Sequence, residues 1–168
     1  MRSYGGFVSA DSEVGTGSQF RVYLPAIESG EIGDCSYPSE FPLGKGDLVL
    51  IVDDEKPILD IARSILEAHN YQVLTAQDGI EAIARYTQHQ ANVAVVLMDM
   101  TMPTLDGATT IQILQKIDPD LRVIVASGLP DNEQVAASLG SSVKAVIPKP
   151  YAPTTLLQSL QSVLQSDA

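Results

Sequence analysis

From residue 47 onward, short apolar runs alternate with segments whose apolar residues recur at helical spacing. The runs are 48–52 "LVLIV", 72–75 "QVLT", 93–98 "VAVVLM", 121–126 "LRVIVA" and 143–147 "VKAVI". They are rich in Val, Ile and Leu and lack strict alternation with polar residues, which predicts strands buried on both faces of a parallel sheet. The intervening segments carry helical stripes, such as Ile58, Ile61, Ala62, Ile65 and Leu66, and later Leu156, Leu157, Leu160, Val163 and Leu164. Pro57 and Pro153 suit the first turns of the first and last helices, where a missing N–H removes no helical bond. Asp78-Gly79 and Asp106-Gly107 mark the starts of the second and third helices. "LPDNE" marks the start of the fourth, and Gly140 its end. The pattern predicts an α/β domain of doubly wound (βα)5 type over residues 47–168.

Upstream, the periodicity breaks at residues 26–46, "AIESGEIGDCSYPSEFPLGKG", where Gly, Ser, Pro and acidic residues accumulate. This stretch reads as a linker. Before it, "GGFVSAD" and "SQFRVYLP" read as two strands joined by "SEVGTG", a hairpin that needs a packing partner to be stable in water. Its exposed edges are also available for pairing with another chain.

Composition narrows the function. The 168 residues carry a formal net charge of −11, and no apolar run is long enough to span a bilayer. That balance argues against a nucleic-acid surface, which needs clustered Lys and Arg. The N-terminus lacks the long apolar centre of a secretory signal, so a soluble, cytoplasmic chain without membrane contact is expected. Cys35 is the only cysteine and has no metal-ligand neighbours, which makes it a plain free thiol. His69 and His89 fall near predicted helix C-termini, where an imidazolium suits the helix dipole, and both read as structural. Met98, Met100 and Met102 read as packing around a strand end.

In a parallel sheet of this kind, ligands gather outside the carboxyl ends of the strands. The polar residues at those ends are Asp53 and Asp54 after the first strand, Asp99 after the third, Ser127 after the fourth and Lys149 after the fifth. Crowded carboxylates repel one another unless a cation intervenes. A hard divalent ion such as Mg²⁺ takes oxygen ligands and keeps places for water and phosphate. A hydroxyl and an ammonium facing the same point add donors for a phosphoryl group, with a carboxylate as nucleophile.

The acidic pair "DD", the segment "MDMTMPTLDG", the "ASG" after the fourth strand and the "KP" after the fifth resemble a response-regulator receiver domain over roughly residues 47–168. The resemblance implies the flavodoxin-like receiver fold with strand order 2-1-3-4-5. It further implies that Asp99 accepts a phosphoryl group from the phosphohistidine of a histidine kinase or histidine phosphotransfer protein. Asp54, Asp99 and the backbone carbonyl of Thr101 would bind Mg²⁺ directly, with Asp53 acting largely through water. Ser127 would hydrogen-bond the phosphoryl oxygens and Lys149 would pair with them. Family analogy also places a cis bond between Lys149 and Pro150.

Two positions depart from the family pattern. Val146 stands where receivers usually carry a switching Tyr or Phe, and Pro148 removes a backbone donor at the end of the fifth strand. The segment "GGFVSADSEVGTGSQFRVYLP" resembles the last piece of a histidine-kinase ATP-binding domain, covering residues 4–25. The expected organisation is therefore a kinase remnant at 1–25, a linker at 26–46 and a receiver at 47–168. That order is the C-terminal end of a hybrid sensor histidine kinase, with Met1 marking a truncated boundary. The upstream ATP-site motifs and a phosphorylatable histidine are missing, so this chain is not expected to bind ATP or phosphorylate itself. Neither "GTG" as a dinucleotide fingerprint nor "PLGKGD" as a P-loop meets the required spacing. Two alternatives compete with the phosphoacceptor reading. One is a pseudo-receiver that keeps the fold as an interaction domain. The other is a haloacid-dehalogenase-like Mg²⁺ phosphatase, which needs an Asp where this chain has Thr101.

Overall fold

A computed structural model describes residues 7–23, 25, 43–128 and 139–165. The chain divides into two units, residues 1–39 and 40–168. The predicted fourth helix, most of the linker and Cys35 lie outside the described residues.

In the first unit, β1 (Phe7–Glu13) and β2 (Gly17–Tyr23) pair antiparallel, with Phe7 opposite Tyr23 and Glu13 opposite Gly17. The turn closes through the Thr16 N–H, which donates to the Glu13 carbonyl. Cross-strand contacts hold one face. Phe7 and Tyr23 stack with ring centroids 4.5 Å apart, and the Arg21 guanidinium pairs with Asp11 at 2.6 Å.

The second unit holds β3 (Leu48–Val52), α1 (Lys56–Ala68), β4 (Gln72–Ala76), α2 (Gly79–His89), β5 (Val93–Asp99), α3 (Gly107–Ile117), β6 (Val123–Ser127), β7 (Val143–Pro148) and α4 (Pro153–Gln165). Its strands form one parallel sheet in the order β4-β3-β5-β6-β7, the expected 2-1-3-4-5. Successive strand residues point to opposite faces. Val49 and Ile51 therefore join a core layer with Leu59, Ala62 and Leu66 of α1 and Leu156 and Leu160 of α4. Leu50 and Val52 join the opposite layer with Ala82 and Tyr86 of α2 and Ile111 and Leu114 of α3. Burial on both faces explains why the strand sequences read as continuous apolar runs.

The helix starts follow their capping chemistry. The side chains of Asp78 and Asp106 accept from the N–H groups of Glu81 and Thr109, each at 2.7 Å, and Pro57 lies in the first turn of α1. Gly140 has φ +80°, a left-handed conformation that glycine adopts without steric cost. Pro148 is exposed on β7, an edge strand, where proline is tolerated. Among the described residues no helix is long and apolar enough to cross a membrane.

The α1 stripe differs from its sequence reading. Leu59, Ala62 and Leu66 are the residues buried against the sheet, while Ile61 is 62% exposed and Ile58 and Ile65 are only half-buried. At about 100° per residue, Leu59 and Ile61 lie on nearly opposite sides of the helix, so one stripe cannot bury both. The exposed Ile61 faces a groove beside the functional site.

Candidate functional site

The parallel sheet brings Asp53, Asp99, Ser127 and Lys149 to one edge because each ends or directly follows a strand running the same way. Asp53 follows β3, and its N–H donates to the Ala76 carbonyl at the end of β4, so the backbone is fixed where the carboxylate emerges. One carboxylate oxygen accepts the Glu55 N–H at 2.9 Å and the other meets the Lys149 ammonium at 2.7 Å. Asp99 is the last residue of β5. Its Oδ1 accepts the Thr101 N–H at 3.3 Å and its Oδ2 lies 2.8 Å from Lys149 Nζ. Asp53 and Asp99 are 2% and 4% exposed, so their charges depend on these partners rather than on bulk water.

Lys149 thus bridges two buried carboxylates. Burial by itself pulls its ammonium down, yet the hydrogen bonds to Asp53 and Asp99 outweigh burial and hold its pKa above the ordinary lysine value. The Lys149 N–H also donates to the Ser127 carbonyl at 2.8 Å, tying the ends of β6 and β7 together, and the Lys149–Pro150 bond is cis as expected. Ser127 is fully buried at the end of β6.

Asp54 is exposed, but one oxygen each from Asp53, Asp54 and Asp99 lie within 4.8 Å of one another. This set of hard oxygens remains net negative beside a single ammonium, and its donor chemistry fits Mg²⁺. Thr101 is exposed on the loop after β5, with its N–H directed at Asp99.

Replacing Lys149 by Met should destabilise the protein by roughly 2 kcal/mol in the presence of a chelator, because two buried carboxylates lose their shared donor. Chemical denaturation with and without Mg²⁺ checks this. The loss should shrink when the cation is added, since it replaces the missing positive charge.

A groove of about 460 Å³ adjoins the carboxylates, walled by Ile58, Ile61 and Ala62 of α1 and by Lys149, Pro150 and Tyr151. Sequence reasoning missed it. The signal was available in α1, where Ile58 and Ile61 add apolar positions beyond those one core-facing stripe can bury.

Residues 49–161 match the family of the response regulator receiver domain. The chain is 29% identical to the sensor kinase CckA of Brucella abortus over 174 residues, covering 98% of this chain and 18% of that kinase. It is 33% identical to the chemotaxis protein CheY of Treponema pallidum over 125 residues, covering 74% of this chain and 87% of CheY. Among solved structures, a receiver domain protein from Clostridium thermocellum aligns with TM-score 0.67 and 26% identity, over 72% of this chain and 96% of that one. The CheX-CheY-BeF3-Mg complex from Borrelia burgdorferi aligns with TM-score 0.65 and 32% identity, over 70% of this chain and 88% of that one.

Proposed function

Because the chain belongs to the response regulator receiver family of two-component signalling, we propose that it accepts a phosphoryl group from phosphohistidine onto Asp99 in a Mg²⁺-dependent reaction. The observation carrying this reading is the cluster of Asp53, Asp54 and Asp99 with Lys149 Nζ at 2.7 and 2.8 Å from the two buried carboxylates. A carboxylate oxygen of Asp99 attacks phosphorus, the P–N bond to the imidazole breaks, and the imidazole leaves with the bonding electron pair. The product is an acyl phosphate on Asp99. Lys149 exchanges its contact with the Asp99 carboxylate for one with the phosphoryl oxygens, and the Ser127 hydroxyl donates to another. Asp53, Asp54, Asp99 and the Thr101 carbonyl would hold Mg²⁺, which supplies positive charge against the transferring phosphoryl group. The apolar groove beside the carboxylates gives a phosphohistidine-bearing helix a surface to rest on.

Residues 1–25 are read as a remnant of a kinase ATP-binding domain, 26–46 as a linker and 47–168 as the receiver. The alignment with CckA supports this organisation because it extends across nearly the whole chain. A location in the cytoplasm agrees with a phosphohistidine donor.

Incubation with acetyl phosphate, followed by intact-mass measurement, tests the reading. One phosphoryl group should be gained with Mg²⁺ and none with a chelator. The half-buried Val146, in place of an aromatic residue, favours the pseudo-receiver as second reading. No gain from acetyl phosphate or from a phosphohistidine donor would decide for it.

A further inference from the structure

Residues 44–46 fall in the stretch that reads as a linker, yet their backbone is bonded to the second unit. The Gly44 N–H donates to the His69 carbonyl at 2.8 Å, and the Gly46 N–H donates to the Asn70 carbonyl at 3.1 Å. In return the Gly44 carbonyl accepts the Asn70 side-chain amide at 2.7 Å, and the Asp47 carbonyl accepts the Gln72 N–H at 3.0 Å. These bonds make residues 44–47 a strap across the turn between α1 and β4.

The strap lies against the ring of Tyr71. A Cβ on Gly44 would stand 2.7–2.8 Å from three atoms of that ring, and Gly46 has φ +87°, so both positions require glycine. Tyr71 is 6% exposed and shares a core layer with Leu160 and Val163 of α4, against which Leu164 also packs. A cavity of about 190 Å³ is lined by Gly44, Lys45 and Asp47 of the strap, by Tyr71, and by Gln161 and Leu164 of α4. The ring therefore stands between the strap and the last helix, with space beside it.

We propose that the strap is a latch that couples the chain entering the receiver to α4 through the ring of Tyr71. With the strap fastened, the Gly44 backbone and the α4 side chains together fix the ring. Release of the strap frees the ring to tilt into the cavity, and the last turns of α4 lose packing. A displaced α4 weakens the strap in the same way, because a coupling free energy between two sites is reciprocal. A pull on the chain upstream of Leu43 thus biases α4 from the amino ends of the strands, away from the carboxylates.

Amide hydrogen exchange measured by NMR on the full chain tests this. Gly44 and Gly46 should exchange far more slowly than an unstructured chain. Gly44→Ala should speed exchange at Gly46 by about tenfold or more and at residues 160–165 by several-fold, with residues 82–86 of α2 in the opposite core layer unchanged. Leu164→Ala should in turn speed exchange at Gly44 and Gly46. Unprotected Gly44 and Gly46 amides in the unsubstituted protein would overturn the inference. So would an α4 indifferent to Gly44→Ala, a strap indifferent to Leu164→Ala, or equal acceleration in α2, which would mark a global loss of stability.

Discussion

Asp99→Asn is expected to abolish phosphoryl uptake while leaving the domain folded. An amide of nearly the same shape keeps the packing at the end of β5, where the residue is 4% exposed, but it has no anionic oxygen to attack phosphorus. Lys149 keeps its bond to Asp53 in the variant, so the ammonium is not stranded. Removing one of several crowded carboxylates also relieves repulsion, and the melting temperature should hold or rise. Intact mass after acetyl phosphate treatment, read beside a thermal melt, separates loss of chemistry from loss of fold. Persistent Mg²⁺-dependent uptake in a folded Asp99→Asn protein would move the acceptor to Asp53 or Asp54.

Gly107→Ala is expected to cost about 3 kcal/mol or more, at the upper end for overpacked sites. A Cβ at this position would lie 2.2 Å from the Asp99 carbonyl oxygen and 2.9 Å from the Met100 Cα. Both atoms are backbone and cannot rotate away. The Gly107 N–H donates to the Met100 carbonyl at 3.3 Å, so the start of α3 is held against the segment that carries Asp99. The methyl group must push α3 outward or displace Asp99, and phosphoryl uptake should fall with stability. Gly128→Ala serves as the control. A Cβ there meets nothing within 4 Å, and its denaturation midpoint should stay close to that of the unsubstituted protein. An unchanged midpoint for Gly107→Ala would show that the loop after β5 yields more easily than its contacts indicate.

The strands were legible because a sheet covered on both faces leaves few polar positions in them, and Leu48–Val52 reads as an unbroken apolar run for that reason. The starts of α2 and α3 were legible through Asp78 and Asp106, whose capping bonds are local in sequence. The face of α1 was not. Its apolar residues exceed what one stripe can bury, and only the position of the sheet selects Leu59 for the interior and Ile61 for the groove. The bridge from Lys149 to Asp53 and Asp99 was equally hidden, since it reaches residues at the ends of two other strands, the farther of them 96 positions away in sequence.

Sequence alone determined the alternation of strands and helices, the polar residues at the strand ends and the family to which they belong, because local periodicity and motif order survive without coordinates. Tertiary structure decided which carboxylates are buried, that one ammonium serves two of them, and that Tyr151 lines the groove beside Lys149. These outcomes depend on distances across the sheet and on exclusion of water, which arise only when all the strands are in register.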